Sequence, residues 1–297
     1  MVLRQTVAGE QLVAGNMLEK PDSNGIRLFF CPFRLTGIKR CSILFYIPLK
    51  SGKGRQILDK FLRAPGAVPE ERMNYGVVVA AGQSKRMGQQ VDKAFLSLGN
   101  MPVLAYSLGA FEKCQDIDGV VLVVRKDRVE SAWAMVRMYG FTKVKSVLAG
   151  GAMRQTSVSI GLKALREDVQ IVSVHDGARP CVTPQLISDT IKIAKRYGSG
   201  VAGVPLSDTV KYVERGLTVK KTLDRNKLWA VQTPQTFRLD LLRDAMASAS
   251  RKKKTLTDEA SALELYRKEV RLVQASVANI KITAPDDLML AAAILKV

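Results

Sequence analysis

Four apolar runs, Val77 to Ala81, Val120 to Val124, Ile171 to Val174 and Val201 to Pro205, are separated by segments long enough to hold a helix. Successive strand side chains point to opposite faces, so a continuous rather than alternating apolar strand must be covered on both sides. Between the runs, apolar residues recur at helical spacing over Val103 to Phe111, Val129 to Met138, Ser157 to Leu165 and Pro184 to Tyr197. This alternation predicts an α/β domain with a doubly wound, mostly parallel sheet, its ligands beyond the carboxyl ends of the strands. Ala284-Pro285-Asp286-Asp287 reads as a helix start before Leu288 to Leu295, because proline and acids suit a first turn. Leu206 to Leu228 breaks the pattern: it is polar and strand-like, with a turn signal at Arg215-Gly216, and predicts a hairpin arm protruding from the domain.

Residues 1–72 lack this grammar. Turn formers recur in Lys20-Pro21-Asp22-Ser23-Asn24-Gly25 and in Arg63-Ala64-Pro65-Gly66-Ala67-Val68-Pro69, and basic residues scatter without period. The acids Glu10, Glu19, Asp22, Asp59, Glu70 and Glu71 speak against a transit peptide, and no signal-peptide apolar core opens the segment. The expectation is a poorly ordered, dispensable extension with Met73 as the working start; a tether or targeting arm is the alternative.

Composition narrows the partners. Forty-six Lys plus Arg against 27 Asp plus Glu give a net charge of +19, which suits nucleotides, phosphorylated metabolites, nucleic acid or a membrane surface. Cys31, Cys41, Cys114 and Cys181 form no C-x-x-C pair and His175 is the one histidine, against a zinc centre or a disulfide framework and for a reducing, cytoplasmic setting. No apolar run reaches the roughly 18 residues of a membrane span. Nucleic-acid binding would explain the charge, but no basic strand with interleaved aromatics is present.

Val77 to Phe95 is the most informative stretch. Its apolar strand delivers a small-residue loop, Ala80-Ala81-Gly82, followed by Lys85, Arg86 and Lys93, so backbone N–H groups and cations could meet a phosphate there. Neither the Walker spacing nor Gly-x-Gly-x-x-Gly occurs, and an ordinary strand-to-helix turn with solvated cations is the competing reading. Four landmarks follow it: Gly150-Gly151-Ala152-Met153-Arg154-Gln155-Thr156-Ser157, His175-Asp176-Gly177-Ala178-Arg179-Pro180, Thr233-Pro234-Gln235 and Thr257-Asp258-Glu259-Ala260-Ser261. Asn279-Ile280-Lys281-Ile282-Thr283 closes the set.

In this order, over residues 74–297 and not the extension, the motifs closely resemble the 2-C-methyl-D-erythritol 4-phosphate cytidylyltransferases of the non-mevalonate isoprenoid pathway. The resemblance implies a Rossmann-like nucleotidyltransferase fold over 73–297. It also implies transfer of CMP from CTP to 2-C-methyl-D-erythritol 4-phosphate, giving 4-diphosphocytidyl-2-C-methyl-D-erythritol and pyrophosphate. Attack is by the acceptor's phosphate oxygen on the α-phosphorus, so catalysis is positioning and cationic stabilisation. By position, Arg86 and Lys93 match the catalytic pair, Ala80, Ala81 and Gly82 the phosphate cradle, and Gly151 and Ser157 the cytosine and ribose contacts. Lys281 matches a nucleotide phosphate contact. Asp176 matches the ligand of Mg2+ or another divalent cation, with helix capping as its plainer alternative. Arg179, Asp208, Thr209, Lys211, Arg225, Thr233 and Thr257 match the acceptor side. The family further implies a homodimer in which the 206–228 arm carries Thr209 and Lys211 into the partner's site. His175 reads as a structural histidine, since an ionised phosphate acceptor needs no base.

Three positions depart from the family: Ser84 for a common glycine, Asp92 for a usual proline before Lys93, and Ala152 for a polar residue. A ribitol 5-phosphate cytidylyltransferase, sharing the first loop and the His-Asp element, is the nearest alternative; a sugar-nucleotide pyrophosphorylase is a further one.

Overall fold

A computed structural model of the protein describes residues 18–21, 27–33, 41–46, 73–82, 92–214 and 216–297. Two units divide the chain, Met1–Glu71 and Arg72–Val297. In the first, β1 (Leu18–Pro21), β2 (Arg27–Phe33) and β3 (Cys41–Tyr46) pair antiparallel in that order. Regular structure was not expected there; Leu28, Phe29 and Phe30 on β2 and Ile43, Leu44 and Phe45 on β3 supply short runs of β-favouring residues between the turn formers.

The second unit carries a seven-stranded sheet. Its strands are β4 (Met73–Ala80), β7 (Gly119–Val124), β8 (Val144–Ala149), β9 (Val169–Asp176), β10 (Ser199–Pro205), β13 (Trp229–Arg238) and β14 (Leu272–Gln274). They lie in the order β14-β10-β13-β9-β4-β7-β8, while a small ribbon joins β5 (Ser97–Leu98) to β6 (Met101–Pro102). Every pairing in the large sheet is parallel except those of β13, which runs antiparallel to both β9 and β10. The expected α/β architecture is therefore present.

Helices α1 (Val103–Lys113), α2 (Val129–Met138) and α4 (Pro184–Tyr197) cover one face, and α3 (Arg154–Lys163), α5 (Leu239–Arg251) and α6 (Glu259–Leu265) cover the other. The runs of β4 and β7 divide by parity. Val78, Ala80, Leu122 and Val124 pack with Leu104, Phe111 and Ile187, whereas Val77, Val79, Val121 and Val123 pack with Val158, Leu162 and Leu242. Gly161 lets α3 lie against the sheet, because a Cβ there would stand 2.6 Å from Val77 Cγ1. A third, smaller cluster anchors α7 (Asp286–Leu295) through Ala291 against Val103 and Ile282, fixing the segment that carries Lys281.

Chain order reverses at β4: the chain first builds outward through β7 and β8, then returns to lay β9 on the other side. Such a switch point opens a crevice at the strands' carboxyl ends. The arm residues form an antiparallel hairpin, β11 (Lys211–Val213) with β12 (Val219–Thr222), exposed along its whole described length.

Candidate active site

A pocket sits over the carboxyl ends of β4 and β9. Of the residues singled out in the sequence, Ala80, Ala81, Gly82, Lys93, Gly151, Ser157, Asp176 and Lys281 line it, joined by Asp92, Ala152, Met153 and Arg154. Arg86, Lys85 and Ser84 fall outside the described residues. Lys93 opens a short 3-10 turn, Lys93–Phe95, whose cap is Asp92: its Oδ1 accepts the Ala94 N–H at 3.2 Å. The Asp92 carboxylate has partners of its own. It is buried, its Oδ2 faces Arg128 Nε at 3.6 Å, and burial raises its pKa above the ordinary value against the pull of that N–H and of Arg125 and Arg128.

The Gly150-Gly151 loop is drawn tight. Ser157 Oγ accepts the Gly151 N–H at 3.1 Å and donates to Met153 O at 3.2 Å, so the buried hydroxyl shapes the loop that faces the pocket. A side chain at Gly150 would stand 2.4 Å from Ala81 Cβ, which is why the loop can pack on the end of β4.

Asp176 ends β9 with both carboxylate oxygens engaged. Oδ1 accepts from Arg154 Nε at 2.9 Å and Oδ2 from Lys281 Nζ at 2.6 Å. Burial alone would raise its pKa, but Arg154 and Lys281 outweigh that and hold the carboxyl well below the usual range. Arg154 in turn gives Nη1 and Nη2 to Glu259 Oε1 and Oε2 at 2.7 and 3.0 Å, a bidentate fork. Burial works against the guanidinium charge, yet Glu259 and Asp176 raise its pKa above the ordinary arginine value. Two cations and two carboxylates thus form one closed cluster.

Behind Asp176 lies a second network. The Asp176 N–H donates to Thr233 Oγ1 at 3.1 Å, and Thr233 Oγ1 stands 3.1 Å from His175 Nδ1, with His175 Nε2 3.3 Å from Arg179 O. Thr233 is buried, so this hydroxyl positions Asp176 and His175 and does not face the pocket. Arg179 donates Nη1 to Asn279 O at 2.7 Å, and Asn279 Nδ2 donates to Gln232 Oε1 at 2.8 Å and to Thr233 O at 2.9 Å. Gln235 joins β13 to α6: its Nε2 donates to Asp258 Oδ2 at 2.9 Å and its Oε1 accepts the Ala260 N–H at 3.0 Å.

The remaining acceptor-side residues are elsewhere. Asp208, Thr209, Lys211 and Arg225 lie exposed on the arm, Lys211 Nζ donating to Thr222 Oγ1 at 2.7 Å and Arg225 bonding Ser207 O; Thr257 is exposed just before α6. None of these five lines the pocket. The sequence reading gave no role to Glu259, Gln235 or Asn279, although all three stand in the quoted motifs. Their place inside the short motifs was the available signal, and their burial is what the fold adds.

Among the described residues no group of three or more His, Cys, Asp or Glu converges to make a metal site. Of the two pocket carboxylates, Asp92 caps the Lys93–Phe95 turn and faces Arg128, which leaves Asp176, and one protein carboxylate completed by phosphate oxygens and water is a donor set that magnesium accepts. No helix among the described residues is long and apolar enough to cross a membrane.

Residues 75–297 match the family model described as 2-C-methyl-D-erythritol 4-phosphate cytidylyltransferase. A curated protein of that name from Dehalococcoides mccartyi is 46% identical over 220 residues, covering 74% of this chain and 95% of that protein. Another from Alkaliphilus oremlandii is 41% identical over 221 residues, 74% and 94% of the two chains. The crystal structure of a 4-diphosphocytidyl-2C-methyl-D-erythritol synthase from Anaerococcus prevotii aligns with a TM-score of 0.67 at 27% identity, covering 76% of this chain and 97% of that one.

Proposed function

The chain belongs to the 2-C-methyl-D-erythritol 4-phosphate cytidylyltransferase family, and we propose that the crevice over β4 and β9 is where its reaction takes place. That reaction is transfer of CMP from CTP to 2-C-methyl-D-erythritol 4-phosphate with release of pyrophosphate, in isoprenoid precursor biosynthesis. The observation that carries the placement is the convergence of Ala80-Ala81-Gly82, Lys93, Gly151, Asp176 and Lys281, from five separate stretches of chain, on one pocket at the topological switch point.

The roles follow from the chemistry. Two anions must meet while charge grows on the α-phosphoryl oxygens, so Lys93 and Arg86 stabilise the reacting centre and the Ala80-Ala81-Gly82 backbone holds the triphosphate. Gly151, in the loop tightened by Ser157, offers backbone groups to the cytosine edge. Asp176 holds Mg2+ together with nucleotide phosphates; the ion would neutralise phosphate charge and fix the geometry for in-line attack. Lys281 takes a phosphate, and Arg179 and Thr233 support Asp176 from behind. Asp208, Thr209, Lys211, Arg225 and Thr257 serve the acceptor, and the exposed arm carries Thr209 and Lys211 into the partner's site. The dimer is two-fold and the protein acts in the cytoplasm.

Pyrophosphate release tests the reading. Full-length protein with Mg2+ and each of the four NTPs should respond only to CTP, and to methylerythritol phosphate rather than ribitol 5-phosphate. Turnover with ribitol 5-phosphate alone would reassign the acceptor.

A further inference from the structure

We infer that Glu259 is a positioning residue for Asp176, acting through Arg154; the inference rests on the pocket being the cytidylyltransferase site. Glu259 occupies the first position of α6, where a carboxylate usually serves the helix terminus. That service is already rendered by Asp258, whose Oδ1 accepts the Ser261 N–H at 3.0 Å in a capping box. Glu259 instead turns inward, only 1% exposed, and spends both oxygens on Arg154.

Stability does not account for this arrangement. A buried ion pair is commonly no better for the fold than apolar side chains of the same size, because desolvation offsets the attraction. What the pair does supply is direction. A guanidinium is planar with its donors fixed in a fork. With Nη1 and Nη2 held by Glu259, Arg154 presents only Nε to Asp176, and so takes one carboxylate oxygen and leaves the other to Lys281. Glu259 is itself fixed from the sheet, because Gln235 on β13 holds both Asp258 and the Ala260 N–H on either side of it. Without the Glu259 charge, Arg154 is free to turn its fork onto both Asp176 oxygens and displace Lys281. Asp176 would then be closed to any other cation.

The test is a cycle of Glu259→Gln and Arg154→Ala in the full-length chain, with kcat and KM for CTP measured per folded molecule, folding being checked by near-ultraviolet dichroism. Glu259→Gln should lower kcat/KM by about 10- to 100-fold in the parent, as supporting residues around an ion site do. In the Arg154→Ala background it should change kcat/KM less than about threefold, because its route of action is gone. Glu259→Asp, which restores the charge, should recover part of the loss. A loss of less than about threefold in the parent, or an equal loss in both backgrounds, would overturn the proposal. If Glu259→Gln is insoluble, the same cycle with Glu259→Ala, which also removes the charge, decides by the same criteria. A parent enzyme that releases no pyrophosphate from CTP and methylerythritol phosphate would instead refute the underlying reading of the site.

Discussion

His175 should act as a pH-dependent component of stability, and its hydrogen bonds fix the sign. Because Arg179 O can only accept, the ring proton sits on Nε2 and donates to it, so Nδ1 is bare and takes the hydrogen of the Thr233 hydroxyl, whose oxygen accepts the Asp176 N–H. The neutral ring is fully satisfied in a buried site, and burial pushes its pKa down to about 3. An unfolded histidine titrates near 6.5. Between these values the unfolded chain holds a proton that the folded chain does not, so the contribution is complete above about pH 6.5 and is lost as pH falls, by at most about 1.4 kcal/mol per unit. Glu259 and Asp92, raised by burial, act with the opposite sign, whereas Asp176, depressed, adds to the loss only near the acid end of the window. His175→Gln keeps an N–H for Arg179 O but leaves the Thr233 hydroxyl without its acceptor, a pH-independent cost of about 1–3 kcal/mol. Urea unfolding of the parent and the variant between about pH 4.5 and about pH 7.5 separates the two effects, because the gap should narrow by roughly 1 kcal/mol per unit below about pH 6. Parallel curves across that window would refute the neutral, single-tautomer histidine.

Arg86→Ala and Lys93→Ala should each lower kcat by at least about 10²-fold with a smaller change in KM for CTP; near-parental kcat in steady-state assays would remove that residue from the mechanism. A chain starting at Met73 should keep its solubility, melting temperature and turnover, and an inactive or insoluble truncation would show that residues 1–72 belong to the fold. Arg86→Ala and Lys211→Ala subunits, each nearly inactive alone, should regain about a quarter of parental activity after verified subunit exchange, because half of the random dimers then hold one intact site. No recovery would place Lys211 in its own subunit's site or in none.

The parallel core was legible because doubly covered strands must be apolar throughout. Val77 to Ala80 of the first run lies in β4, which Ala81 overshoots by one residue, Val120 to Val124 falls within β7, and α2 and α4 have the expected bounds, α4 with Thr183 capping Leu186 N and Pro184 in its first turn. The strand that organises the site was not legible. β13 is ten residues long, yet it carries Gln232, Thr233, Pro234, Gln235 and Thr236, a composition that reads as loop. Pro234 is tolerated where the β10 ladder skips from Val201 to Gly203, and the pairing with β9 begins only at Gln235. The four polar side chains are buried because each finds a partner distant in sequence, Thr233 at Asp176, Gln235 at Asp258, Thr236 at Ser173 and Thr190, and Gln232 at Asn279, information that no local window contains. β8 was missed for a simpler reason: at the sheet's edge, Lys145 and Ser146 interrupt its apolar pattern.

The charge arithmetic of the pocket divides its cations into two kinds. Asp176 and Glu259 offset Arg154 and Lys281 one for one, so a net attraction for a triphosphate must come from the remaining basic groups and from backbone N–H donors at the end of β4. Arg154 is tied to two carboxylates, one of them on a side chain only 2% exposed, and moving it would strand a buried charge at a cost of several kcal/mol. Lys281 holds Asp176 with a single ammonium contact, on a flexible stem 36% exposed. An arriving phosphate can take that ammonium and leave Asp176 with Arg154 and one open oxygen. On the proposed reading, the same exchange would give Lys281 a phosphate and Asp176 the Mg2+ while Arg154 stays fixed between them.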